Sequence, residues 1–410
     1  MSDAETDSEP APQPPNVELL DGIPAVVTTA SQLERAITSL AGGSGPVAVD
    51  AERASGFRYG QRAYLVQFFR RGGGTWLIDP TAFDDLAALS TALSDATWIL
   101  HAASQDLPCL REVGLVPSRI FDTELGARLL GRDRVGLGPL VESELGLHLA
   151  KGHGAADWSK RPLPQDWLAY AALDVEVLVD LHDILAKDLE STGKMGYATQ
   201  EFDAVLASPG PAPRQDPWRR TSGMHRVRGR RQLAIVRALW ESRDELARRL
   251  DISPGRILSD AAIVAAAVAH PADADALGAL PEYTKGNGAK HRHRWWTAIA
   301  SARGLPESDL PLSTLPSEGP PPARVWREKD PVAADRLARA RESLSALAED
   351  LAIPLENLVP PEAVRRCAWH PPMPLTAETT ARMLVESGAR PWQVDLVAGA
   401  LAAALIDGGE

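Results

Sequence analysis

Five residues in three short stretches of this 410-residue chain have types and spacings that could do chemistry. Asp50 and Glu52 close the apolar run PVAVDAE (46–52). Residues i and i+2 of a strand point to one face, so the run predicts two carboxylates side by side at a strand end. Such a pair repels unless a cation lies between its members. Alone, it also fits two surface acids on an edge strand. Asp106 lies in HAASQDL (101–107), directly after the apolar run TWILHA (97–102) and near the start of a predicted helix. By itself it also fits an acid placed to meet the helix dipole. Tyr170 and Asp174, in YAALD (170–174), are four apart in a predicted helix and share its face. Alone they fit an amphipathic helix with a packed Tyr and an exposed Asp. Taken jointly, the three segments point to converging carboxylates, the oxygen ligands that Mg2+ and Mn2+ prefer.

The elements that must position these residues are legible. PVAVDAE, AYLVQFF (63–69), TWLIDP (75–80) and TWILHA are short β-rich runs, the first three close together as in a meander. SQLERAITSL (31–40), FDDLAALSTAL (83–93), QDLPCLREVG (105–114) and DTELGARLLG (122–131) read as helices, and a long helix follows Pro162 and Pro164, from Gln165 to Leu189. Residues 25–206 therefore form an α/β domain with a mixed sheet. A Pro-rich linker (207–217) leads to a helical block (218–305). A second linker (306–324) leads to a last helical block (325–406). DISPGRIL (251–258) and LAIPLENLVP (351–360) follow long charged helices in both blocks, a weak internal repeat.

Composition sets the limits. Hydrophobic content of 44% and charged content of 24% are those of a soluble globular protein of several domains. No apolar run is long enough to cross a bilayer. The segment 1–24 is acidic and Pro-rich and reads as a disordered tail without an export signal. Cys109 and Cys367, far apart in sequence, exclude a disulfide framework or a Cys-based zinc site. A cytoplasmic monomer with no membrane partner is expected. The net charge of −12 argues against nucleic acid, but residues 215–305 carry 16 Lys and Arg against 9 Asp and Glu. Such local charge binds a phosphate backbone by releasing counterions.

The stretches VAVDAE (47–52), AYLVQF (63–68), LIDP (77–80), HAASQDL, IFDTELGARLLG (120–131), GLGPLVESELGLHLAKG (136–152) and above all DWSKRPLPQDWLAYAALDVEVL (157–178) resemble ribonuclease D. This is the branch of the DEDD 3'→5' exonucleases with a tyrosine in its third motif. The resemblance implies a ribonuclease-H-like mixed sheet followed by two all-α HRDC-like domains. It also implies metal ligands at Asp50, Glu52, Asp106 and Asp174, with Tyr170 orienting the attacking water. Two divalent ions, Mg2+ or Mn2+, ~4 Å apart would activate that water and stabilise the leaving oxygen. Asp50 would bridge them, Glu52 and Asp174 would complete the site of the nucleophilic water, and Asp106 would support the second ion. Tyr170, with an ordinary pKa near ~10, is a poor base and positions the water by hydrogen bond.

The expected activity removes nucleoside 5'-monophosphates from the 3' end of RNA, such as a transfer RNA precursor. A DNA 3'→5' exonuclease and a non-catalytic RNA-binding protein of this fold are the alternatives; the complete set of four carboxylates and Tyr speaks against the second. The family has a more apolar or aromatic residue after its DxE element, where this chain has Arg53. Arg53 is therefore a candidate nucleic-acid contact, with Arg228, Arg230, Arg231, Lys290, Arg292 and Arg294 of the basic block. Of Trp295 and Trp296, at least one is expected in the core and one could stack on bases. His101 reads as a structural histidine, Asp122 as a helix cap or a support of the site, and Asp157 and Trp158 as anchors of the loop before Tyr170.

Overall fold

The computed structural model describes residues 14–150, 152–210, 212, 214–315 and 319–406. Six strands form one mixed sheet: β1 (Val26–Val27), β2 (Ser44–Arg53), β3 (Ala63–Arg71), β4 (Gly74–Ile78), β5 (Trp98–Leu100) and β6 (Ile120–Asp122), in the order β1-β4-β3-β2-β5-β6. The β2–β3–β4 meander is antiparallel, while β1 on β4, β5 on β2 and β6 on β5 are parallel. Successive residues Val47, Ala48 and Val49 are all buried, so both faces of β2 are covered. The helices α1 (Ala30–Gly42), α2 (Ala87–Ala92), α3 (Leu107–Glu112), α4 (Thr123–Leu129), α5 (Leu137–Leu145), α6 (Gln165–Ser191) and α7 (Met195–Ala207) surround it. α6 packs across β2, β3 and β4. Leu168, Ala171, Val175, Leu178, Leu185 and Leu189 are among its buried residues, its middle is buried on all sides from Asp174 to Val179, and Pro164 stands at its N-cap.

The sheet exceeds the sequence reading by β1 and β6, which are two and three residues long and too short to show alternation. α7 fills a stretch to which no element had been assigned. Of the tail expected over 1–24, residues 1–13 lie outside the described residues. The remainder is fastened, not free: His148 N donates to Pro15 O at 2.7 Å, Val17 N to His148 O at 3.0 Å, and Leu20 N to the Glu176 carboxylate at 3.0 Å.

The first helical block contains α8 (Gly229–Leu250), α9 (Pro254–Ile257), α10 (Asp260–Ala269), α11 (Ala274–Gly278), α12 (Gly286–Lys290) and α13 (Arg292–Arg303). The second contains α14 (Trp326–Lys329), α15 (Pro331–Leu351), α16 (Leu355–Leu358), α17 (Pro361–Trp369), α18 (Ala377–Glu386) and α19 (Pro391–Leu405). The weak repeat has a structural counterpart. α8 and α15 both end on a left-handed residue, Asp251 (φ 48°) and Ala352 (φ 47°), followed by a one-turn helix and a longer one. None of the described helices is long and apolar enough to cross a membrane.

Both of these elbows rest on the α/β domain. Asp251 accepts hydrogen bonds from Tyr59 N and Gly60 N, each at 3.2 Å, and faces Arg58 at 3.8 Å. Ser253 N donates to Phe57 O at 2.9 Å, and Arg256 donates to Gly56 O while its guanidinium lies 4.0 Å from the Phe57 ring centre. Tyr59 Oη reaches Asp244 at 3.1 Å. On the other side, Lys194 Nζ donates to both Leu129 O and Ala352 O, and a Cβ on Gly131 would stand 2.6 Å from Ala352 O. Trp392 stacks on Tyr197 and donates to Glu201. Asp251→Ala removes the acceptor of two backbone donors, a loss of about 1–2 kcal/mol at this contact. Faster hydrogen exchange at amides 57–60, with the sheet unchanged, is expected; unaltered exchange there would contradict this role.

Candidate active site

Asp50 and Glu52 point to one face of β2, as their spacing requires, and that face is the one under α6. One turn of α6 brings Asp174 to the same place. Carboxylate oxygens of Asp50, Glu52 and Asp174 lie within 4.8 Å of one another. Glu52 and Asp174 are 7% and 5% exposed, so little water screens them. Burial raises the pKa of all three. Glu52, which also feels the charges of Asp50, Asp174 and Asp106, is pushed up to about 9. Three oxygen ligands that repel one another, without an in-chain ion pair among the described residues, fit a hard divalent cation and little else.

Tyr170 lies one turn before Asp174 on the same face of α6, close enough for each group to shift the pKa of the other. Burial and the charges of Asp174 and Glu52 raise the Tyr170 pKa above its ordinary value, so the phenol stays protonated. Its oxygen keeps lone pairs to accept from a water. The loop before α6 fixes this ring. Trp158 is fully buried and donates to His153 O at 3.1 Å, and Arg161 ties Asp79, Tyr64 O and Trp158 O together. A Cβ on Gly152 would come within 2.7 Å of Tyr170 Cδ2, so the close approach needs glycine. Asp157, named with Trp158 as an anchor, accepts from Ser159.

Asp106 does not join the group of three. It stands at the start of α3, 6% exposed, with Oδ1 3.5 Å from Arg53 Nη2. Burial, then the charge of Asp50, raises its pKa well above normal, against the pull of Arg53. Asp122 fixes the turn before it. Its carboxylate accepts from Ala102 N (3.1 Å) and Ala103 N (2.8 Å), and from Glu124 N and Leu125 N at the start of α4. His101 pairs with Thr123 Oγ1 at 2.9 Å, and burial depresses its pKa to about 4, so it is a neutral structural group.

Gln67 went unnoticed in the sequence. It is the cross-strand partner of Asp50 and so shares its face. It is fully buried, and neither amide atom has a hydrogen-bond partner among the described residues. A polar side chain kept there at a cost to stability marks a site, not packing. Its sequence signal was a lone polar residue inside AYLVQFF.

The basic residues of the first helical block are largely used by the fold. Arg230 donates to Glu307 O, Leu310 O and Pro311 O, and Arg231 to Leu305 O and the Glu307 carboxylate. These bonds strap residues 305–311 of the expected linker to α8. Arg294 binds Ser242 O and Glu245, and the Arg292 guanidinium lies against Gly278. Arg230, Arg231 and Arg294 thus spend guanidinium donors on carbonyls and carboxylates of the module, while Arg292 Nε is buried without a hydrogen-bond partner among the described residues. Arg228 and Lys290 are exposed. Trp295 is fully buried and Trp296 half-buried.

The sheet, α6 and the carboxylates belong to a 3'→5' exonuclease domain. Residues 24–190 match the family described as 3'-5' exonuclease, residues 232–299 the HRDC domain, and residues 319–405 the 3' to 5' exonuclease C-terminal domain. Ribonuclease D of Gluconacetobacter diazotrophicus is 36% identical over 58% of this chain and 62% of its own length, so the matched stretch spans less than two thirds of that relative. Ribonuclease D of Xanthomonas oryzae pv. oryzae is 31% identical over 59% of this chain and 68% of its own. A crystal structure of a protein from Bifidobacterium adolescentis has a TM-score of 0.88, with 40% identity, covering 96% of this chain and 99% of that one. Escherichia coli RNase D, described as an exoribonuclease involved in structured RNA processing, has a TM-score of 0.67 at 24% identity, covering 94% and 99%. The chain belongs to the ribonuclease D family.

Burying two amide atoms without partners costs about 1–3 kcal/mol. Gln67→Leu is thus expected to raise the urea midpoint of the metal-free protein at an unchanged m-value. A lower midpoint would show that the amide is already satisfied.

Proposed function

We propose that this protein is a metal-dependent 3'→5' exoribonuclease that releases nucleoside 5'-monophosphates from RNA 3' ends. The observation that carries the reading is the convergence of Asp50, Glu52 and Asp174, the last two buried, with Tyr170 one turn before Asp174 on the same helix. Asp50, Glu52 and Asp174 would hold one divalent cation and Asp106 would help hold a second; Mg2+ and Mn2+ both suit this oxygen set. When bound, such ions supply the charge that makes an attacking water nucleophilic and neutralises the leaving oxygen.

The chain's own groups do the rest. β2 and α6 fix the carboxylates in advance, so no reorganisation is needed when a strand arrives. Tyr170, kept protonated by burial and by the charges of Asp174 and Glu52, offers its phenolic oxygen to the attacking water and aims it. Being held protonated, Tyr170 orients the water and does not act as its base. RNA as substrate is supported by the relatives that carry the name ribonuclease D; the Escherichia coli protein of like fold is described as acting in structured RNA processing, and a transfer RNA precursor is the structured RNA we propose here. The absence of a described helix able to span a bilayer fits a cytoplasmic enzyme, which we propose acts as a monomer.

RNA labelled at its 3' or its 5' end, incubated with Mg2+, Mn2+ or chelator beside a matched DNA, tests polarity, product, metal need and sugar preference together. Labelled 5'-monophosphate should appear first from the 3' label, only with divalent ion, and more slowly from DNA. Asp50→Ala should abolish release while leaving RNA binding largely intact; undiminished release would remove the metal mechanism, and faster release from DNA would remove RNA as the substrate.

A further inference from the structure

Arg53 stands where the family resemblance leads one to expect an apolar or aromatic side chain. The register of β2 on β3 slips at this point: Glu52 pairs with Leu65 but Arg53 with Ala63, leaving Tyr64 as the extra residue. A bulge of this kind increases local twist and re-aims nearby side chains. Arg53 is thereby directed over the turn before α3. Its Nη1 donates to Gln105 O at 2.9 Å, and its Nη2 lies 3.5 Å from Asp106 Oδ1. Among the described residues this is the ion pair made to the four carboxylates, and it goes to the one that stands outside the triplet. The pair is unequal in access: the Arg53 side chain is 28% exposed, that of Asp106 8%. It is also a single contact at long range, not the two-point fork that guanidinium makes with a carboxylate or a phosphate at full strength.

Resting on the nuclease reading above, we propose that Arg53 makes the second cation site conditional on the presence of a nucleic-acid 3' end. With no strand bound, Arg53 pairs with Asp106 and weakens that carboxylate as a ligand. The terminal phosphodiester offers the guanidinium a more complete partner. Arg53 turns to it through the exposed part of its reach, and Asp106 is released to hold the second ion. The triplet Asp50, Glu52 and Asp174, which has no such competitor, keeps the first ion in either state. Substrate shifts the balance because it binds the state in which Arg53 is free of Asp106 better than the other.

The test is titration of Mn2+ alone into the full metal-free chain, read by calorimetry and by the electron paramagnetic resonance signal of coupled against isolated Mn2+. The wild-type protein should take up one ion tightly and the second weakly. Arg53→Gln should bind the second ion about tenfold more tightly, a modest effect for removing a positive charge a few ångströms away. Arg53→Lys, which keeps the charge, should retain the wild-type pattern. An RNA whose terminal bridging oxygen is replaced by a methylene, which blocks cleavage with Mn2+ present, should tighten the second ion by a larger factor in the wild type than in Arg53→Gln. Second-ion affinities equal in wild type, Arg53→Gln and Arg53→Lys would overturn this inference and leave the nuclease reading standing. A second ion that persists in Arg53→Gln after Asp106→Asn is added would overturn it too. A wild-type chain that takes up no Mn2+ would overturn both.

Discussion

Asp50, Glu52 and Asp174 crowd into a space that water reaches poorly, with the buried Asp106 close by. Isolated charges in such a place cost several kcal/mol each after relaxation, and mutual repulsion adds to that. The rise of Glu52 to about 9 expresses the same cost as a proton affinity. Nothing in the local segments would hold Asp50, Glu52 and Asp174 together, so the surrounding structure must. β2 is fixed by strands on both sides, and α6 is fixed by the apolar residues that press it onto β2, β3 and β4. The Trp158 loop then locks the N-terminal half of α6, and Asp122 locks the turn that carries Asp106. A divalent cation turns this arrangement from a liability into a binding site.

The helical blocks belong to the same arrangement. Each rests a left-handed helix end on the α/β domain, Asp251 on one side and Ala352 on the other. The first of these contacts is made to residues 56–60, immediately beyond the strand that carries Asp50, Glu52 and Arg53. Arg58 also donates to Ser159 in the loop beneath Tyr170. The first helical block thus touches both walls of the site through polar contacts, and Tyr59 packs against the apolar core of that block. The second block instead merges its apolar core with that of the α/β domain, through α7 and Trp392.

The DxE strand and the helix with Tyr170 and Asp174 were legible because their signals are periodic: two residues for a strand face, four for a helix face. Asp122 was legible as a cap or a support, and it both caps α4 and holds Ala102 N and Ala103 N. β1 and β6 were not legible, since two or three residues show no period and are strands only because β4 and β5 are beside them. Gln67 was hidden because a buried glutamine and an exposed one look the same in a run of letters. The internal bonds of the arginine block were hidden for a related reason. Counting charge says nothing of which guanidinium donors are spent on carbonyls, and Arg230 and Arg231 spend theirs on residues more than 70 positions away.

That the fold holds its carboxylates for a divalent cation is tested most directly by calorimetric unfolding of the metal-free protein against increasing Mg2+ or Mn2+. A ligand that binds only the folded state adds about 2.7 kcal/mol at one hundred times its Kd. The wild type should gain stability along a saturable curve, and Asp50→Ala and Asp174→Ala should gain none. Unfolding midpoints that are the same with and without divalent ions in the wild type would contradict the claim.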